Sequence, residues 1–325
     1  KQEHLGALIA DQAGLEGIEA VKVEAACASA AAALRQAMLA VQSGAAEIAL
    51  AVGVEKLTDM TSSCTTNALA MAADADHEAQ MGLSFVAINA LLMQRYLYEH
   101  KIDRAEFAHF SVRAHANAVH NPHAMFRAPI TMAQYQQAKM IATPINLLDS
   151  SPLADGAAAV VVTTVERARE LSDKPLRLLA CEVGTDTLAL HDRAELLWLA
   201  GVERSTRRAL QRAGKRHEEI DLFELHDAFS IMAALSLEST GFAERGQGVA
   251  FSQQGTLPVA TMGGLKGRGH PVGATGLYQV VEAATQLRGD APDAIQVAGA
   301  RVAMAQNIGG SGATVITTIL ETMEA

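Results

Sequence analysis

The stretch EAACASAAAALRQAM, residues 24–38, places a lone cysteine, Cys27, between an apolar extended run and an alanine-rich run. VKVEAA (21–26) predicts a short strand, 27–43 a helix, and EIALAVG (47–53) a second, nearly continuous apolar strand, which together make one strand-helix-strand unit of a parallel sheet. At that junction the unpaired N–H groups of the helix start favour a thiolate, so Cys27 is a candidate nucleophile. The competing reading is a buried structural cysteine.

Composition bounds the answer from outside. The chain has 325 residues, half of them hydrophobic and only 4% aromatic, which suits close helix-on-sheet packing and an α/β class of about two domains. A net charge of -10 argues against a nucleic-acid surface. The three cysteines, at 27, 64 and 181, have neither disulfide-framework nor zinc-ligand spacing, so a reducing compartment and no metal are expected, with Cys64 and Cys181 structural. No apolar run is long enough to span a membrane, so a cytoplasmic protein is expected. The chain opens at Lys1 without a methionine, and the first half reads as lacking one strand-helix segment ahead of Val21.

Further along, 54–150 carries helices and polar loops without a convincing strand, as an insertion would. DGAAAVVVTT (155–164) returns to strand, and after the joint SDKPL (172–176) the pattern restarts. Strands are expected at 176–184, 220–225, 294–300 and 313–320, and helices at 201–213, 227–239 and 273–287. Two halves of similar order suggest an internal duplication.

Three more loops carry chemistry. In ELHDAFS (224–230) His226 follows a strand and precedes a helix, where a side chain can face a pocket at the carboxyl end of a sheet; a local cap by Asp227 is the alternative. GGLKGRGHPVGATG (263–276) combines six glycines with His270, but it lacks the spacing of a nucleotide loop. AQNIGGSGAT (305–314) is glycine-rich, and its N–H groups can point at a developing oxyanion. The histidines at 115, 120 and 123 lack the carboxylate support and spacing of a metal site, and 203–219 reads as a solvated basic helix.

Together and in this order, CAS at Cys27, HDAF at His226, GHPVGATG at His270, SPLADGAAAV (151–160) and GVEKLT (53–58) resemble the thiolase superfamily over the whole chain, with HDAF and AQNIGG similar to its archaeal and sterol-carrier-protein type. The resemblance implies two stacked five-stranded α/β units with helices between the sheets: an N-terminal half 1–165 containing a loop domain at 54–150, and a C-terminal half 175–325. It implies acyl transfer between coenzyme A thioesters, acetyl-CoA above all, through an acyl-enzyme on Cys27 and without a cofactor. His270 then activates the thiol, His226 lines an oxyanion hole or takes the α-proton, and the Gly309 N–H completes the other hole. Asn307, Gly263, Gly264, Phe229 and Arg127 are expected to bind substrate. A homodimer or homotetramer is implied, with hydroxymethylglutaryl-CoA synthase and a small zinc-ribbon/OB-fold protein as partners.

Two departures stand out. Many thiolases carry a second cysteine where this chain has Asn307, and sterol-carrier-protein thiolases can place one where it has Ala228. The α-proton must therefore go to His226, His270 or a water between them. The rival expectations are a related acyltransferase or steroid side-chain aldolase with another acceptor, and a non-catalytic scaffold subunit.

Overall fold

A computed structural model describes residues 2–323; residues 1, 324 and 325, at the outer ends of the two expected halves, lie outside the described residues. Its helices are α1 (Leu5–Gln12), α2 (Ser29–Gln42), α3 (Ser62–Ala70), α4 (Phe85–His100), α5 (Ala108–Ala118), α6 (Met132–Gln137), α7 (Val165–Leu171), α8 (Ala200–Ala213), α9 (Ser230–Ser239), α10 (Gly248–Gln254) and α11 (Thr275–Leu287). The strands are β1 (Ile48–Glu55), β2 (Met140–Ala142), β3 (Ile145–Asn146), β4 (Gly156–Thr163), β5 (Leu176–Thr185), β6 (Leu222–Glu224), β7 (Val302–Gly309) and β8 (Thr314–Thr322).

Small residues set the layering. Helices α2 and α11 lie between a two-stranded sheet, β1-β4, and a four-stranded sheet ordered β5-β8-β7-β6, while α8 covers the far face of the larger sheet. Strand alternation separates two cores: Leu222, Ala303, Ala305 and Ile316 face α2 and α11, whereas Phe223, Met304, Ile308 and Val315 join the second core with α9. The alanines of α2 are what let the layers approach. A Cβ on Gly53 of β1 would sit 2.7 Å from Ala30 Cβ, and one on Gly276 of α11 would sit 2.6 Å from Ala31 N. A bulkier α2 would hold the first turns of the two central helices apart.

The α/β class is as expected, and three assignments change. Residues 21–26 form no strand: Val21 is 80% exposed, and its backbone lies against Gly6 of α1 instead of a ladder partner. Strand β1 consequently pairs antiparallel with β4, and among the described residues only β6 and β7 pair in parallel as full strands. The two main sheets thus have two and four strands where the resemblance implies five in each unit.

Residues 294–300 are likewise a turn, with the strand beginning at Val302. Gln286 of α11 is the reason: its amide donates to Ile295 O at 2.9 Å and accepts from Val297 N–H at 2.8 Å, satisfying backbone groups that a strand would have paired. AQNIGG accordingly lies largely within β7, and Asn307 follows Ala303 and Ala305 onto the inner face. Between 54 and 150 the chain is mainly helical, with one short hairpin, β2-β3. Helices α4 and α5 pack on α9.

Candidate active site

Both central helices begin a few residues after a reactive side chain. Cys27 stands in a single 3-10 turn, Ala26–Ala28, that runs into α2; His270 precedes Pro271 and a second such turn, Val272–Ala274, that runs into α11. Because these turns abut, the two loops meet. His226 enters from a third direction, at the end of β6 and ahead of α9. One reactive atom each from Cys27, His226 and His270 lie within 4.8 Å of one another.

Local bonding makes the turn at the cysteine rigid. Ala25 N–H donates to Ser29 Oγ at 2.9 Å, and that hydroxyl donates to Ala26 O at 2.7 Å. Ala26 is held at φ +51°, a left-handed conformation costing an alanine about 1 kcal/mol. The His270 loop is fixed from both sides: its N–H donates to Pro152 O at 3.0 Å, and Gly273 N–H donates to Glu55 at 3.1 Å. Asp227 does not cap α9; it accepts from Leu265 N–H at 2.7 Å and holds the glycine-rich turn behind the site.

The three side chains line a cavity of about 1580 Å³ shared with Phe229, Met232 and Gly310. It continues along β1, where Ile48 and Leu50 are exposed, toward Leu5, Ile9 and Ile18. Phe229 is thus in the wall. The other expected binding residues divide. Asn307 is buried directly behind His226, its Nδ2 3.1 Å from His226 Nδ1.

Gly263 and Gly264 do not reach the cavity, because they give room to Ala118 of α5 and to the Asp227 carboxylate. Arg127 also stays outside, exposed and folded back onto Ala124 O and Pro122 O of its own loop. The Cys27 sulfur receives the backbone N–H of Gly310, the neighbour of Gly309, and its own N–H is the second donor. No sequence signal separated the two glycines, since both stand in one turn-like run.

Electrostatics corrects another expectation. Burial pushes the Cys27 thiol up to about 11, helped by the Glu55 and Glu24 carboxylates, and outweighs the two N–H donors that favour the thiolate. Burial also pushes His226 down to about 3, with the Arg268 charge adding to it, and holds His270 well below its usual range, with His226 and Arg268 adding. These directions favour, at neutral pH, a thiol beside two neutral imidazoles over a thiolate-imidazolium pair. Alkylation of Cys27 by iodoacetamide should rise about tenfold per pH unit from 7 to 10, because the thiolate fraction does. A plateau reached below pH 8 would contradict that assignment.

Arg268 anchors the layer behind. Its Nε donates to Glu282 at 2.8 Å, its Nη1 to Gly269 O at 2.8 Å, and its guanidinium lies over the Tyr278 ring. Both members of the Arg268–Glu282 pair are buried. Glu282→Leu leaves that cation unpaired and should destabilise the fold by about 3–5 kcal/mol, read as a shift in the denaturant midpoint. Although no metal spacing is visible in the sequence, the fold assembles a sulfur and two imidazole nitrogens in one place.

A thiol and two neutral imidazoles at the meeting point of two helix starts, inside a stacked α/β architecture, define a thiol-dependent class of protein. The chain belongs to the thiolase family. Residues 2–166 match the thiolase N-terminal domain and 183–322 the thiolase C-terminal domain-like family. The chain is 44% identical to an acetyl-CoA acetyltransferase of Methanothermobacter thermautotrophicus, over 97% of this chain and 83% of that protein. To the acetyl-CoA acetyltransferase of Methanocaldococcus jannaschii it is 37% identical, over 98% and 84%. To sterol carrier protein 2 of Homo sapiens it is 30% identical, over 94% of this chain but only 59% of that one. Among solved structures, the Ltp2-ChsH2(DUF35) aldolase superposes with a TM-score of 0.81 at 23% identity, over 97% of this chain and 83% of that chain, which is a likeness of fold.

Proposed function

We propose that the protein is an acyl-CoA C-acyltransferase, condensing two acetyl-CoA to acetoacetyl-CoA or cleaving 3-ketoacyl-CoA with coenzyme A through an acyl-enzyme on Cys27. The observation that carries this reading is the convergence of Cys27, His226 and His270 within 4.8 Å at the wall of a long cavity. The Cys27 thiol gives its proton to His270 as the sulfur attacks the thioester carbonyl. The N–H groups of Cys27 and Gly310 receive the carbonyl oxygen as it becomes an oxyanion. Collapse expels the coenzyme A thiolate, which recovers the proton from His270.

A high thiol pKa suits this order of events. The proton leaves only when a carbonyl is in place, so the resting sulfur is protected from solvent chemistry. Phe229 and Met232 add apolar surface to the cavity that the sulfur lines, and no step calls for a metal or prosthetic group. The high identity to archaeal acetyl-CoA acetyltransferases favours acetyl as the transferred group. The complete cysteine and histidine set weighs against a scaffold subunit.

Residues 1–165, with a loop domain at 54–150, and 175–325 are read as the two halves of the duplication. A cytoplasmic homo-oligomer is part of the same reading, and among the described residues no helix is long and apolar enough to cross a membrane. The DUF35 protein in the structural neighbour's title supports a small associated protein; a zinc-ribbon/OB-fold protein and hydroxymethylglutaryl-CoA synthase are the partners the thiolase resemblance implies. A spectroscopic assay of acetoacetyl-CoA thiolysis and of acetyl-CoA condensation tests the activity. Turnover in neither direction would refute it.

A further inference from the structure

The side chains around the two histidines pair each ring at Nδ1 with a different kind of partner, a hydroxyl and an amide. Thr275 Oγ1 donates to Pro271 O at 3.2 Å, and His270 Nδ1 lies 2.7 Å from Thr275 Oγ1. A hydroxyl has one proton; directed at the Pro271 carbonyl, which also accepts from Ala274 N–H at 2.7 Å, it is not available to the imidazole. Thr275 therefore faces His270 as an acceptor, Nδ1 carries the hydrogen, and Nε2 of the neutral ring is a free lone pair.

At His226 the pattern inverts. Asn307 turns its Nδ2, a donor, to within 3.1 Å of His226 Nδ1, and in that orientation of the amide Nδ1 accepts and Nε2 carries the hydrogen. With each Nδ1 occupied by its partner, Nε2 is the atom that each ring offers the cavity. The rings stand 5.2 Å apart and nearly perpendicular, at 85°. The site thus holds one imidazole base and one imidazole donor rather than two equivalent groups.

We infer that His270 Nε2 takes both protons of the reaction, from the thiol and then from the α-carbon of the second thioester, while His226 Nε2–H only donates to the enolate oxygen. Thr275 and Asn307 are the positioning residues that hold the opposite tautomers. The inference rests on the thiolase reading and fills the role for which the chain has no second cysteine.

The proton account closes. After the coenzyme A thiol departs, His270 is neutral again with Nε2 free. A methyl C–H bond of the second acetyl thioester breaks toward that nitrogen, and its electron pair forms the enolate, whose oxygen accepts from His226 Nε2–H. The enolate carbon bonds to the acyl carbon of acyl-Cys27. As the tetrahedral intermediate collapses, the C–S bond breaks, and the sulfur leaves as a thiolate that recovers the proton from His270.

Asn307 Oδ1 has no hydrogen-bond partner and packs against Gly276, where a Cβ would lie 2.4 Å away. An acceptor turned toward His226 would move its hydrogen to Nδ1 and make Nε2 a base. Asn307→Asp imposes that inverted state with almost no change of shape. Two half-reactions of the whole protein separate the roles: acetylation of Cys27 by acetyl-CoA, read by intact mass, and exchange of the acetyl-CoA methyl hydrogens in D2O, read by NMR.

In Asn307→Asp, acetylation should persist within a fewfold while methyl exchange and condensation fall about 100-fold, the cost of losing one oxyanion donor. Exchange that is unchanged or faster would make His226 the base and overturn the inference. Thr275→Val should slow both half-reactions at least tenfold, with Thr275→Ser restoring both. Normal rates in Thr275→Val, or loss of exchange alone, would contradict it, and this pair decides the matter if Asn307→Asp fails to acetylate. Absence of Cys27 acetylation in the unsubstituted protein is a different result, refuting the thiolase reading itself.

Discussion

Cys27→Ala will lower acetoacetyl-CoA thiolysis and condensation by about 10⁴-fold or more, the usual scale for removing a covalent nucleophile. No other thiol can replace it. Cys64 is exposed on α3, and Cys181 is buried in β5, where it contacts Ala31 O and accepts from the Thr318 hydroxyl. The turn around Cys27 is tied by Ala25, Ser29 and Ala26, so losing the sulfur removes little more than the weak contact with the Gly310 N–H. The variant should therefore melt near the parent temperature. Steady-state rates in both directions, beside a thermal melt, check this, and retained turnover would remove Cys27 from the chemistry.

His270→Ala will cost about 10³-fold near neutral pH, within the range of a general base. The size follows from the thiol: with Cys27 at about 11, almost none of the sulfur is thiolate at pH 7, so its attack depends on a base in contact. Raising the pH supplies the thiolate directly. Cys27 acetylation in the variant should accordingly recover as pH climbs toward 11, while the parent gains less because His270 already removes the proton. Condensation should not recover to the same degree, since hydroxide at those concentrations does not replace a positioned base at the α-carbon. Equal recovery of both half-reactions would place the α-proton elsewhere.

Much of this site is readable in the sequence because each reactive group is announced by a junction. Cys27, His226 and His270 each stand where one element ends and another begins, in loops whose glycines, proline and alanines leave few alternatives. What the sequence conceals is direction. Gly309 and Gly310 are indistinguishable in a glycine run, and only the course of the backbone beyond β7 aims the second of them at the sulfur. Thr275 hides inside the motif that contains His270, and its role emerges only when Pro271 O is seen to engage its proton.

Local satisfaction explains the remaining differences. Residues 294–300 carry a strand composition, but Gln286 reaches across and bonds their backbone. Arg127 has a phosphate-binding charge, yet its guanidinium closes on the carbonyls of its own loop. The helix start at Cys27 promises an acidic thiol, and burial among apolar walls, which no local pattern encodes, reverses that promise.

The most direct test of the account is the intact mass of the protein after brief exposure to acetyl-CoA, with peptide mapping of the adduct. The account predicts one acetyl group per chain on Cys27, removed on adding coenzyme A and absent in Cys27→Ala. An acetyl group on another residue, or none on a protein that still turns over acetoacetyl-CoA, would contradict it.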